Sequence, residues 1–151
     1  MAIDPSVIGT ELPLTRLVVD AGRLKFFAKA IGETDPVYTD EQRAKDAGYP
    51  ALPAPPTFLF SIELERPDPF DWVSGLGIDL RHVLHGEQRF TYHGQLYAGD
   101  EVVAAPKIVD AYSKKGGALG FVVKETTVTR GDELVAELRS VLVVRNPEAA
   151  K

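Results

Sequence analysis

The sequence predicts an α+β fold in which an antiparallel β-sheet curls around one buried helix. Three observations carry this. The first half reads as short helices divided by turn-forming clusters, and the second half reads as long strands in succession. Between them, one strongly apolar helical run, 57–65, is the evident cover for the inner face of such a sheet.

Each element has a local reason. "LTRLVVD" (14–20) reads as a short first strand, and Asp20 is placed to cap a helix by accepting the free amides of its first turn. In "AGRLKFFAKAI", Leu24, Phe27, Ala28 and Ile31 recur at helical spacing, and Gly32 suits the stop. "TDEQRAKDAG" (39–48) reads as a second short helix, with Thr39 as cap and Gly48 as exit. "YPALPAPP" (49–56) is too rich in proline to be helical. In "TFLFSIELE" (57–65), Phe58, Leu59, Phe60, Ile62 and Leu64 leave few polar positions, so this helix is expected to be buried on all sides.

After a loop over 66–80, four stretches read as strands: 82–93, 100–112, 119–130 and 133–144. In the last, Leu134, Ala136, Leu138, Leu142 and Val144 alternate with Glu133, Glu137 and Arg139. "SKKGG" (113–117) and "RGDE" (130–133) have hairpin composition, and that context favours a turn over an adhesion signal at 130–132. The length fits a single domain over 1–151, with about 1–12 and 147–151 expected to be peripheral.

Composition narrows the function. The formal charge is −5 and the Lys and Arg residues are scattered, which disfavours nucleic acid as a partner. No cysteine is present, so disulfides, thiolate ligands and thiol nucleophiles are excluded. No apolar run approaches bilayer-spanning length and the start lacks a signal pattern; a cytoplasmic protein with no membrane partner is expected. His82, His85 and His93 lie in or beside one strand, where His85 and His93 are too far apart to converge on a metal; no metal and no cofactor are expected. A shared face for His85 and Glu87 would make an acid/base pair. No motif supports a Ser-His-Asp mechanism at Ser61, Ser74 or Ser113.

The order of "GETDPVY", "TDEQRAKDAGYPALPAPPTF" and "HGEQRFTYHGQLYAGDEV" resembles the MaoC-like hydratase/dehydratase family, in its N-terminal, FAS1-like dehydratase branch, over nearly the whole chain. The resemblance implies the hot-dog fold. It also implies an acyl-CoA or acyl-carrier-protein thioester as ligand. Catalytic members carry S-G-D-x-N-P-x-H, whose Asp and His handle water at the β-carbon. Laid on this sequence, Gly32 and Pro36 match, while Glu33 stands for the Asp, Asp35 for the Asn and Tyr38 for the His.

These changes bear on chemistry. A phenol near pKa 10 is a poor base where imidazole titrates near 6.5. Glu33 retains a carboxylate but adds a methylene, and a misplacement of about 1 Å can cost roughly a hundredfold in rate. Pro55 and Pro56 stand where relatives have His-Gly, and proline has no N–H for the thioester carbonyl; a one-residue shift would leave Thr57 or Phe58 as donor.

The resemblance therefore implies the pocket-forming half of an (R)-specific 3-hydroxyacyl-thioester dehydratase or enoyl-thioester hydratase, paired with a catalytic hot-dog subunit. No catalytic residue is assigned: Glu33, Asp35 and Tyr38 are degenerate motif positions and His85 is a weak candidate. Thr57, Phe58 and Phe60 are candidates to line an acyl tunnel, against a plain core role, which is favoured for Phe60. Lys114 and Lys115 are candidates to meet coenzyme A phosphates or an acidic carrier protein, with solvated turn lysines as the alternative. The other readings are a self-sufficient homo-oligomeric enzyme using Glu33, a non-catalytic acyl-thioester binding protein, and a thioesterase. Self-association, as a self-dimer or with a different hot-dog chain, is expected under all of them.

Overall fold

Period-two alternation in the second half of the chain makes the sheet. The computed structural model describes residues 3–147 and 149. Among these residues, β1 Thr15–Val18, β2 Val83–Tyr92, β3 Glu101–Lys114, β4 Leu119–Arg130 and β5 Glu133–Arg145 form one antiparallel sheet in the order β1-β3-β4-β5-β2. The two expected hairpins join β3 to β4 and β4 to β5. Gly116, Gly117 and Gly131 supply positive φ there (63°, 90° and 56°).

Among the described residues, three bulges change which side chains face inward; besides that at Val109 in β3, two bear on the site. One lies in β5 opposite Val128 and Thr129: Val135 and Ala136 are both fully buried, and Leu134 turns out to solvent instead of continuing the expected apolar face. The second lies at Gly86 in β2, where a Cβ would meet Val143 Cγ2 at 2.7 Å and the Val141 carbonyl at 3.2 Å. Only glycine fits that approach.

The helices cover the sheet's inner face. α1 Ala21–Ala30 begins where Asp20 Oδ1 accepts the Arg23 amide at 2.9 Å, and it buries Leu24 and Ala28. α2 Glu41–Asp46 is capped by Asp40, which accepts the amides of Gln42 and Arg43 at 2.8 and 3.0 Å. The expected cap, Thr39, closes the preceding turn instead, its amide bonding the Pro36 carbonyl at 3.1 Å.

The central segment, Pro56–Glu65, is a 3₁₀-helix. Three residues per turn stack its side chains in rows. Leu59 and Ile62 form a buried row with Phe58 beside it, while Phe60 and Glu63 fall in another. The expectation of burial on all sides is therefore corrected: Phe60 and Leu64 are 37% and 43% exposed. The expected loop over 66–80 contains a short helix, α3 Asp71–Gly75.

The core has two parts. One joins Leu24, Leu52, Phe58, Ile62, Val102 and Val135 beneath α1 and the central helix; the other joins Val73, Ile78, Ile108, Val122 and Leu142 beneath α3. Residues 3–12 were expected at the periphery, yet they are tied to β3. The Gly9 and Leu12 amides donate to the Ile108 and Pro106 carbonyls at 2.8 and 2.9 Å, and Ile3, Val7 and Leu12 pack on the second part of the core. The unpaired edge of β3 is the physical reason: its backbone groups need partners. At the other end, residues 148, 150 and 151 of the expected peripheral stretch lie outside the described residues. Among the described residues, no helix is long and apolar enough to cross a membrane.

Candidate functional site

The motif-like turn is built from its own side chains. α1 ends at Ile31, Gly32 takes φ 75°, and the chain enters Glu33–Tyr38. Glu33 Oε1 accepts the amides of Thr34 and Asp35 at 2.8 and 2.9 Å. Asp35 Oδ1 accepts the Val37 amide at 3.0 Å and caps the 3₁₀ turn Pro36–Tyr38. Both carboxylates thus hold backbone donors that would otherwise lack partners. The Tyr38 phenol is half-buried, and burial raises its pKa above the ordinary 10; the nearby charge of Glu33, the Tyr49 phenol and Asp35 raise it further. That moves it away from the range of a neutral-pH base.

A different region offers a cavity. About 220 Å³ of free space lies between the second row of the central helix, α3 and the inner face of β4, β5 and β2. Its apolar wall includes Phe60, Leu64, Phe70, Trp72, Leu138 and Leu142. Its polar groups are Glu63, Lys124, Thr126, Ser140, Gln88 and His85. Among the described residues, none of 31–40 lines it.

Glu63 organises the polar part. Its carboxylate forms an ion pair with Lys124 Nζ and accepts the Thr126 hydroxyl at 2.6 Å. The Lys124 ammonium also lies 5.2 Å from the centre of the Trp72 ring, over its face. Both charged side chains are largely buried, at 18% and 13% exposure. Burial of such groups is tolerated because each is paired.

The other sequence-predicted residues separate. Phe60 lines the cavity and meets the His85 ring edge-on at 6.0 Å. Phe58 belongs to the core, against Phe27 at 5.6 Å, and its amide donates to the Pro55 carbonyl at 2.9 Å. Thr57 is exposed and away from this cavity. Phe58, open to either reading in the sequence, belongs to the core, and Phe60, for which the sequence favours a core role, lines the cavity.

His85 and Glu87 do not share a face. The bulge at Gly86 sets His85 opposite Leu142 on the inner face and Glu87 opposite Val141 on the outer one, where Glu87 pairs with Arg89 at 2.6 Å. His93 reaches Glu137 at 2.8 Å. Among the described residues, no group of three or more His, Asp or Glu side chains is arranged to hold a metal ion. Lys114 lies over the Tyr112 and Phe121 rings at 5.4 and 5.2 Å. In the 130–132 hairpin, Arg130 binds Asp100 at 2.6 Å and Glu133 at 2.8 Å, a structural clamp.

Sequence reasoning missed Glu63, Lys124, Ser140 and Gln88. A signal existed. Lys124 interrupts the inward series Val122, Thr126, Val128, and Ser140 interrupts Leu138, Leu142, Val144.

An antiparallel sheet wrapped on one central helix is the hot-dog architecture, which solved MaoC-like dehydratases share. The FAS1-like dehydratase domain region matches residues 6–138, and the chain belongs to that family. Among similar sequences, a UPF0336 protein of Saccharopolyspora erythraea is 36% identical over 147 residues, covering 96% of this chain and 93% of the relative. A UPF0336 protein of Streptomyces coelicolor is 34% identical over 151 residues, covering 99% and 100%.

Among solved structures, the chain resembles the HadBC (3R-hydroxyacyl-ACP dehydratase) complex of Mycobacterium tuberculosis, with TM-score 0.72, 28% identity, and coverage of 94% of this chain and 99% of that one. It also resembles the ChsH1-ChsH2 complex of the same organism, with TM-score 0.68, 26% identity, and coverage of 91% and 89%. A MaoC-like dehydratase superposes at TM-score 0.79 and 21% identity, over 95% of this chain and 43% of that one; this shows the fold alone.

Proposed function

We propose that this chain is the pocket-forming half of an (R)-specific 3-hydroxyacyl-thioester dehydratase or enoyl-thioester hydratase, and that a second hot-dog chain with an intact Asp-His pair runs the proton transfers. One observation carries the reading. Both carboxylates at the motif positions are engaged with the backbone of their own turn, and the phenol in the histidine's place titrates above 10. Such a turn has no base poised near neutrality for activating water. The cavity beside Phe60 is where the acyl group lies.

The sheet edges favour a partner. β2 ends the sheet on one side and leaves Leu84 and Tyr92 exposed, a strand edge that a second sheet would cover. The likeness to two solved complexes agrees with such a pairing. The acyl carrier, coenzyme A or carrier protein, is chosen at the surface of the assembled pair.

Co-expression with a hot-dog chain that has the intact motif tests this. Stable co-purification, with hydration of enoyl-CoA that needs both chains, is expected. Equal activity of the partner without this chain, or no association with such partners, contradicts the proposal.

A further inference from the structure

The inner face of a sheet that wraps a helix is ordinarily apolar, and here it is interrupted by one polar row. Lys124 of β4 is directly opposite Ser140 of β5, and Ser140 is directly opposite Gln88 of β2. Directly opposed residues have Cβ atoms about 4.5–5.5 Å apart. All three side chains therefore stand side by side across three strands, and all three line the cavity. The rows on either side return to apolar character at their centres, with Leu138 on one side and Leu142 on the other, both buried. The row follows the seam between the two parts of the core.

Structural satisfaction accounts for only part of this row. Each oxygen of Glu63 has a partner, Lys124 on one and Thr126 on the other. Lys124 has three N–H donors, and the described contacts are with Glu63 and the Trp72 face. Gln88 donates a side-chain N–H to the Arg89 carbonyl at 3.2 Å, has no described partner for its side-chain oxygen, and lines the cavity. Ser140 is 8% exposed and lines the cavity, directly opposite Lys124 on one side and Gln88 on the other. A hydroxyl at that depth, between an ammonium and a carboxamide, is placed to bind something that enters the cavity.

We propose that the cavity accepts an acyl group carrying a neutral oxygen function, a ketone or hydroxyl, several carbons from the thioester, and that Ser140, Lys124 and Gln88 bind that oxygen. The charge balance selects a neutral group. Glu63 and Lys124 cancel within the cavity, so a carboxylate or ammonium tail would have to break that pair to be compensated. A ketone oxygen accepts from Ser140 and Lys124; a hydroxyl also donates to Gln88 Oε1. Space permits it: a cavity of about 150 Å³ already accepts benzene, and this one holds about 220 Å³. The proposal rests on the acyl-pocket reading above and adds the chemical class of the tail.

The test compares octanoyl-CoA with octanoyl-CoA analogues bearing a ketone at carbon 5, 6 or 7, using the full chain and calorimetric titration. At least one keto analogue is expected to bind about 3- to 10-fold more tightly than octanoyl-CoA, the range one hydrogen bond supplies. The readout is the ratio of keto-analogue to octanoyl-CoA affinity within each variant: Ser140→Ala should abolish the advantage and Gln88→Leu reduce it. Ser140→Ala removes one oxygen and leaves packing intact, so folding is not in question. Cyclohexanone and toluene, followed by amide shifts of β4 and β5, separate this idea from the thioester reading. Cyclohexanone preferred over toluene in a Ser140-dependent way, with no thioester binding, leaves the oxygen subsite standing and removes the acyl-pocket reading. Octanoyl-CoA bound as tightly as every keto analogue, or an advantage that survives both variants, or no probe bound, overturns the inference.

Discussion

Two glutamates in this chain do opposite things. Glu33 stands where the sequence resemblance aligns a catalytic Asp, and its Oε1 accepts the amides of the next two residues. Glu63 occupies no motif position, and it is the largely buried half of an ion pair inside a cavity. The comparison teaches that a residue's place in a motif and its chemical availability are separate facts. Alignment says which position a residue occupies; the partners of its oxygen atoms say what it can do.

The largest expected difference between the two regions is in stability. Lys124→Met removes the charge partner of a largely buried carboxylate and should cost about 2–3 kcal/mol, somewhat below the ~3–5 kcal/mol of a fully buried broken pair. Urea unfolding of the variant measures it, and Lys124→Met/Glu63→Gln should recover a large part of the loss. In the turn, Asp35→Ala removes a cap from an exposed segment and should cost about 0.5–1 kcal/mol. A loss as large as that of Lys124→Met would erase the contrast drawn here.

Alkaline pH probes the turn in another way. The folded pKa of Tyr38 is raised above its unfolded value near 10, so the native state holds that proton more tightly. The resulting stabilisation is complete below pH 10 and is lost as pH rises through the folded pKa. Burial alone raises Tyr92 in the same direction. Thermal unfolding followed from pH 8 upward should show stability falling only above about 10, with a smaller fall in Tyr38→Phe. The smallest effect belongs to Glu33→Gln. The amide oxygen still accepts both backbone donors, so a change under about 0.5 kcal/mol is expected by denaturant titration, as for surface substitutions generally.

Much of the fold was legible in the sequence because its signals are local. Strand-like stretches marked β2 to β5, with the cleanest alternation in the last; Asp20 and the spacing of Leu24, Phe27 and Ala28 marked α1, and glycines marked the hairpins. The bulges were not legible, because they depend on which residue of a neighbouring strand lies opposite. They moved Leu134 outward and separated His85 from Glu87. The 3₁₀ character of Pro56–Glu65 was also hidden, since three- and four-residue spacings are hard to tell apart in a run with so few polar positions. The turn at Glu33–Tyr38 was visible as a departure from a pattern. The polar seam was harder to see: Lys124, Ser140 and Gln88 each look like a single break in an apolar series, and only strand pairing sets them in one row.

The central claim is that the turn after α1 no longer handles protons. Hydration of crotonyl-CoA by the purified chain, compared with its Glu33→Gln variant, tests this most directly. The account predicts no turnover above the uncatalysed background for either protein; steady turnover by the parent chain that disappears in Glu33→Gln would contradict it.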